Sequence, residues 1–278
     1  MSLNAPNLLI KISDDEFNQL VNFVYHKYGI NLVKKRQLVE GRLSHTIRER
    51  GLSSFKQYMD MMTKDKSGDE MLHFLNRITT NHSYFARETE HFDFLTQHAL
   101  PYLEKSRTRE LRIWSAGCSA GQEAYNIAMT MDQYFGNRKS QWDTRILATD
   151  ISMNVLNKGK AGIYPEDNIK DLPLQWKSKY FIRLPDGSYQ VSEKMRKEVI
   201  FQVFNLMDPF VYKKPFDIIF CRNVMIYFDQ DTRNKLVDKF YAATAEGGCL
   251  LIGHSEVLDK ERTAYRFIRP SIYQKIAK

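Results

Sequence analysis

The sequence predicts a small all-helical domain followed by an α/β domain with a parallel sheet, and three observations carry that reading. From Ser13 to about Asn81 apolar residues recur at helical spacing, and no strand pattern precedes residue 110. Beyond residue 110 short apolar runs alternate with helical stretches, the pattern of a parallel sheet covered by helices. Within that alternation Tyr180–Leu184 and Ser188–Ser192 flank Pro185-Asp186-Gly187, which reads as an inserted β-hairpin.

Each element has a local reason. Ser13 with Glu16 forms a capping box ahead of Phe17, Leu20, Val21 and Val24, and Gly29 suits the left-handed end of that helix. A second helix runs from about Lys34 to Glu49, with Val39, Leu43 and Ile47 on one face and Lys35, Arg42, His45 and Arg48 on the other. Ser53-Ser54 caps a short third helix, and Glu70 to Thr79 makes a fourth. The segment 82–107, charged and helical with Pro101 near its middle, reads as a linker. Strands are expected at Leu111–Ala116, Thr144–Thr149, Val199–Asn205, Asp217–Cys221 and Cys249–His254. Helices are expected at Gln122–Tyr134, Ser152–Lys160 and Asp229–Ala245. The hairpin, joined by the strand near Val199, is expected to make a small antiparallel unit. The domain plan is therefore 1–81 helical, 82–107 linker and 108–278 α/β, with a β-subdomain over about 163–198.

Composition limits the class. Of the 278 residues 43% are hydrophobic and 27% charged, which excludes a disordered chain. Leu8-Leu9-Ile10 is too short for a secretory leader, and no apolar run approaches the roughly 18 residues that span a bilayer. Cys118, Cys221 and Cys249 lack metal-ligand spacing and read as reduced thiols, so a cytoplasmic protein with no metal is expected. The net charge of +8 suits an acidic partner, be it nucleic acid, anionic lipid or an acidic protein face.

The segment Leu111 to Tyr125 runs strand, loop of small residues, helix, with Gly117, Ser119, Ala120 and Gly121 in the turn. Such a turn lets a ligand approach the backbone and meet a helix N-terminus. No Lys-Ser/Thr follows the last glycine, so it is not a Walker motif. Asp150 ends the next strand, where an acid can accept hydrogen bonds from ribose hydroxyls, or else cap the helix beyond. Glu123 serves either the ligand or the helix dipole. Phe216 to Asp229 carries an apolar strand into Arg222 and Asn223, with Tyr227 one helical turn later as a site residue or a packing one.

These residues, with TTNHSYFARE (79–88), WSAGCSAGQEAY (114–125), ATDIS (148–152), AGIY (161–164), FCRNVMIYFD (220–229), GHSE (253–256) and RPSIYQK (269–275), resemble the successive signatures of CheR-type chemoreceptor methyltransferases. The resemblance implies an all-helical N-terminal domain and a doubly wound, Rossmann-like class I methyltransferase domain with an inserted antiparallel β-subdomain. It implies S-adenosylmethionine as methyl donor, S-adenosylhomocysteine as product, and receptor glutamates as substrates in chemotactic adaptation. Asn81, Ser83 and Arg87 would close over the cofactor, beside the Gly117 turn. Glu123 and Asp150 would hold its amino group or ribose, while Asn205, Leu206, Asn223 and Val224 would line its adenine and sulfonium side. Arg87 and Tyr227 would lie nearest the transferring methyl.

Ser83 stands where the family usually has Thr, Gln122-Glu123-Ala124-Tyr125 replaces Glu-Glu-Pro-Tyr, and Ala86 replaces a common Phe. Some members capture a receptor C-terminal pentapeptide on a longer, glycine-containing hairpin loop; the compact Leu184–Tyr189 turn predicts independence from that tether. The partner implied is the helical bundle of a methyl-accepting chemoreceptor, with Lys35, Arg42 and Arg48 docking on its acidic stretches. A nucleic-acid methyltransferase is the competing reading of the high pI, but Arg222-Asn223-Val224-Met225 lacks the Pro-Pro of amino-directed enzymes. A cofactor-loaded scaffold without turnover is the non-enzymatic alternative.

Overall fold

The computed structural model describes residues 9–65, 68–79 and 83–276. The chain divides into two compact units, Met1–Asn81 and His82–Lys278.

The described part of the first unit is four helices, α1 (Asp14–Tyr28), α2 (Arg36–Glu49), α3 (Phe55–Lys64) and α4 (Asp69–Ile78), with no strand. Ser13 and Glu16 form the reciprocal capping box on α1, and Gly29 closes it at φ 70°. Ser54 caps α3 by accepting from the Gln57 N–H. Val39, Leu43 and Ile47 of α2 are wholly buried, each contributing about 1.5–3 kcal/mol by leaving water. The basic side of α2 is more structural than its sequence suggests: Arg42 Nη1 donates to the Arg77 and Ile78 carbonyls, closing the last turn of α4. Lys35 and Arg48 are exposed.

In the second unit residues 85–89 form turns; of the described linker residues, 83–89 are not helical, and α5 (Glu90–Phe94) starts at Glu90. A π turn over Leu95–Ala99 joins α5 to α6 (Leu100–Ser106). Pro101 lacks an N–H and crowds the carbonyl one turn earlier, and the widened turn just before it accommodates both defects.

The main sheet is built from β1 (Ile113–Ala116), β2 (Ile146–Asp150), β6 (Val199–Val203), β7 (Phe216–Cys221), β8 (Thr244–Ile252), β9 (Arg266–Arg269) and β10 (Ile272–Gln274). Their spatial order is β6-β2-β1-β7-β8-β10-β9. The first five are parallel, and the β9–β10 hairpin closes the edge antiparallel. Helices α7 (Gln122–Phe135), α8 (Met153–Ala161) and α12 (Gln230–Ala243) connect the parallel strands. β1 and β7 are buried along their whole length, as central parallel strands must be. Trp114 of β1 is fully buried with the rings of Phe204, Phe210, Tyr212, Phe216 and Phe240 around it. Its indole N–H is satisfied by Thr149 Oγ1 at 2.9 Å.

The inserted subdomain holds β3 (Ile163–Tyr164), α9 (Glu166–Ile169), α10 (Leu174–Tyr180), β4 (Phe181–Arg183), β5 (Tyr189–Val191) and α11 (Glu193–Arg196). The hairpin is β4–β5, but its third strand is β3 and not the strand at Val199. Val199 pairs with Ile146 and extends the main sheet as its edge strand β6, in which Val199 is buried, Phe201 half-buried, and Ile200 and Val203 exposed. Buried Asp132 of α7 fastens the subdomain through Lys179 at 2.8 Å, Lys194 at 2.6 Å and the Tyr180 hydroxyl at 3.0 Å.

Candidate active site

Ligands of doubly wound sheets sit outside the carboxyl ends of the strands, where the strand order reverses. Here that point lies between β1 and β7, and the turn after β1 is shaped by what its residues lack. Gly117 and Gly121 take φ of 86° and 90°. A Cβ on Gly117 would collide with Val224 Cγ2 of the loop after β7, and one on Gly121 would lie 2.9 Å from the Phe201 ring. Gly121 caps α7 without any side-chain hydrogen bond, so no capping side chain satisfies the first N–H groups of that helix.

Asp150 ends β2 and grips this turn. Its Oδ2 accepts from the Ser119 N–H at 2.9 Å and its Oδ1 from the Ser152 N–H at 3.0 Å. Ser152 itself caps α8, so the helix-cap role falls to the serine. Burial raises the Asp150 pKa against those backbone donors. A carboxylate has about four acceptor positions, so two backbone contacts leave room for a ribose diol.

Glu123, in the first turn of α7, accepts from Ser115 Oγ at 2.6 Å and from Arg222 Nη1 at 3.2 Å. Burial raises its pKa, with the Arg222 charge opposing. Arg222 is the residue that sequence reasoning left without a role. Its side chain is only 3% exposed, which marks a structural cation rather than a surface one. Its Nε meets Glu88 Oε2 at 3.0 Å, and its Nη2 donates to the Arg87 carbonyl. It thus joins α7 to the segment that carries Arg87.

Within that segment Ser83 is half-buried and Phe85 is buried edge-on against Tyr164 and Phe181. Ala86 and Glu88 take φ of 60° and 53°, each costing about 1–3 kcal/mol for a non-glycine residue. The Arg87 guanidinium lies over the exposed Tyr84 ring, 5.6 Å from its centroid. Asn81 lies outside the described residues. Glu88, His91 and His254 bring ligand atoms within 4.8 Å of one another. A dication among them would meet the Arg222 charge already paired with Glu88.

The loop after β7 is held by an acid that sequence reasoning also left without a role. Buried Glu256 accepts from the N–H groups of Gly253 at 2.6 Å, Asn223 at 2.9 Å and Ile226 at 3.2 Å. Burial raises its pKa, and the backbone donors pull the other way. Those bonds hold Asn223 at φ 60° and set the 3-10 turn Met225–Tyr227, in which Tyr227 is half-buried. Gly253 is obligatory there, because a Cβ would lie 2.5 Å from Asn223 Nδ2. Asn205 and Leu206 follow β6; Asn205 Oδ1 accepts from the Met207 N–H at 3.0 Å and Leu206 is buried. The Phe204 N–H bonds the Asp150 carbonyl at 3.0 Å, which ties that stretch to the end of β2.

An acid at the end of β2, a second in the first turn of α7, a helix N-terminus capped by glycine and a glycine turn fit a ligand with an amino group, a carboxylate and a ribose diol. S-adenosylmethionine has that donor and acceptor set. Glu123 and Asp150 would hold the amino group and the diol, with the Gly117 turn against the ligand.

Such a sheet, with its last strand inserted antiparallel, and such a site define an S-adenosylmethionine-dependent methyltransferase fold preceded by an all-helical unit. Residues 81–273 match the model described as "CheR methyltransferase, SAM binding domain", and residues 15–79 match "CheR methyltransferase, all-alpha domain". The chain belongs to the CheR methyltransferase family. It is 45% identical to the chemotaxis protein methyltransferase of Borreliella burgdorferi over 98% of both chains. It is 36% identical to the Escherichia coli protein of that name, covering 89% of this chain and 86% of the relative. The Salmonella typhimurium protein is also 36% identical, covering 89% and 85%.

Proposed function

We propose that the protein transfers the methyl group of S-adenosylmethionine to glutamate side chains of chemoreceptors, acting in the cytoplasm and forming methyl esters in chemotactic adaptation. The single observation that favours it is Arg222, which ties the Arg87 segment, through Glu88 and the Arg87 carbonyl, to Glu123 at the glycine turn. The three relatives, all chemotaxis protein methyltransferases, agree with that partner class. Among the described residues no helix is long and apolar enough to cross a membrane.

The cofactor supplies an electrophilic methyl on a sulfonium; the chain supplies alignment. A receptor glutamate, with pKa near 4.3, is about 99.8% ionised at pH 7 and attacks without a general base. Holding it in line contributes about 7 kcal/mol or more. Arg87 offers a planar fork matched to a carboxylate and Tyr227 a hydroxyl donor. Both orient the anion without a grip so tight that it favours the ground state, because charge cancels in the transition state. Ser83 completes the cofactor side, with Asn205, Leu206, Asn223 and Val224 around the adenosine. Lys35, just before α2, and Arg48 of α2 dock the receptor bundle electrostatically, and Arg42 contributes charge while closing α4. The compact Leu184–Ser188 turn, closed by the Leu184 N–H on the Ser188 carbonyl at 2.8 Å, supports docking that needs no pentapeptide tether.

The test is methyl-labelled S-adenosylmethionine with receptor-containing membranes, followed by mild alkali. Label released as methanol from the receptor is the expected result. Alkali-stable label indicates amine chemistry, and cofactor binding without transfer indicates a scaffold; either overturns the reading. Arg87→Ala is expected to lose most transfer and Tyr227→Phe less.

A further inference from the structure

Arg87 sits between two residues whose backbone conformation L side chains rarely adopt, Ala86 at φ 60° and Glu88 at φ 53°. Such a turn persists only where its surroundings over-determine it. Phe85 anchors one end in the core. The other end is held by one carboxylate. Glu88 Oε2 accepts from Arg222 Nε at 3.0 Å, and Oε1 accepts from the His254 N–H at 3.3 Å. Oε1 also lies 3.7 Å from Arg87 Nε, so the same group faces the residue it supports. Burial works to raise the Glu88 pKa, but the Arg222 charge and the His254 N–H outweigh it, and the net direction is down.

His91, one helical turn on, completes the setting. It is fully buried, with Nδ1 3.6 Å from Glu88 Oε2. Burial and the Arg222 charge push its pKa down to about 3, so it stays neutral and leaves the Glu88 charge to the two arginines.

We propose that Glu88 is a positioning residue for methyl transfer: its carboxylate fixes the left-handed turn that presents the Arg87 guanidinium, and draws on Arg87 Nε directly. The proposal rests on the reading that Arg87 orients the receptor carboxylate. Charge is the operative property. Glu88→Gln keeps the length of the side chain but turns an amide N–H₂ toward an arginine or a backbone N–H, donor against donor. Glu88→Asp keeps the charge and loses one methylene.

The experiment is a double-mutant cycle on full-length protein, with labelled methyl transfer to receptor membranes as the rate and S-adenosylhomocysteine calorimetry as the check on folding. Glu88→Gln is expected to lower kcat/KM for the receptor about 10- to 100-fold, the scale of one charge-assisted hydrogen bond. Cofactor affinity is expected to change by less than about threefold, and Glu88→Asp to recover part of the loss. In an Arg87→Ala background Glu88→Gln is expected to cost almost nothing further, because the residue it positions is gone. Losses that multiply in the double variant, or a Glu88→Gln rate equal to wild type beside a crippled Arg87→Ala, overturn the proposal and leave the proposed function standing. Arg87→Ala at the wild-type rate overturns the role of Arg87 and the positioning proposal with it.

Discussion

Three loops flank the candidate cofactor site, and one of them is shaped by a means opposite to that of the other two. The turn after β1 is shaped by missing side chains: Gly117 and Gly121 have no room for a Cβ. The 83–89 segment and the loop after β7 hold equally unusual backbone with full side chains, at Ala86, Glu88 and Asn223. There the cost is offset by buried charge, Arg222 with Glu88 in one case and Glu256 with three backbone N–H groups in the other. Glycine gives a fixed shape at low cost. A buried charge gives a shape that depends on every partner being present.

The sharpest break of that contrast is Arg222→Met, which keeps bulk and removes the shared cation. It strands Glu88 and Glu123 in a site where their charges were paired, and a loss of about 3–5 kcal/mol in urea unfolding is expected. A loss under 1 kcal/mol would show that the loops hold themselves. On the glycine side Gly117→Ala combines a positive-φ penalty with the Val224 collision, about 2–4 kcal/mol, and is expected to abolish S-adenosylhomocysteine binding in calorimetry. Adding Val224→Ala is expected to restore part of the stability; no recovery would assign the whole effect to φ.

Smallest is the effect at Asp132, a buried charge far from the site whose lysine partners are half in solvent. Burial works to raise its pKa, but hydrogen bonds from Lys179, Lys194 and Tyr180 outweigh it and lower it. A carboxyl held below its unfolded pKa of about 3.9 stabilises the fold above that pH and ceases to as pH falls through the folded value. Asp132→Asn is therefore expected to cost about 1–3 kcal/mol at pH 7, discounted for lysine exposure, with the gap to wild type closing below about pH 4. A gap that persists in acid would make the contact one of packing alone.

The contrast also explains what was legible in the sequence. Ser13 with Glu16, Gly29 and Ser54 are local signals, and they sit in the fold as their spacing predicts. The strand–glycine–helix run around Gly117 is local too, and the alternation after residue 110 yields the parallel sheet. The membership of Val199–Val203 was not legible, because an apolar run pairs as well in either sheet and only the register with β2 decides. Arg222, Glu88 and Glu256 were passed over for a related reason. A charged residue in sequence reads as solvated, and its burial depends on residues up to 166 positions away, as between Glu88 and His254. Each stands in a motif already noted, FARE, FCRN and GHSE, which was the available signal. The basic side of α2 misled in the same way at Arg42, whose carbonyl partners on α4 lie 35 and 36 residues further along.

The most direct measurement is a crystal structure of the protein with S-adenosylhomocysteine. The ligand is expected between the Gly117–Gly121 turn and the Asn223–Val224 loop, with its amino group or ribose on Glu123 and Asp150 and with Arg222 still joining Glu123 to Glu88. Ligand bound away from the carboxyl ends of β1 and β2, or an Arg222 that abandons both glutamates, would contradict it.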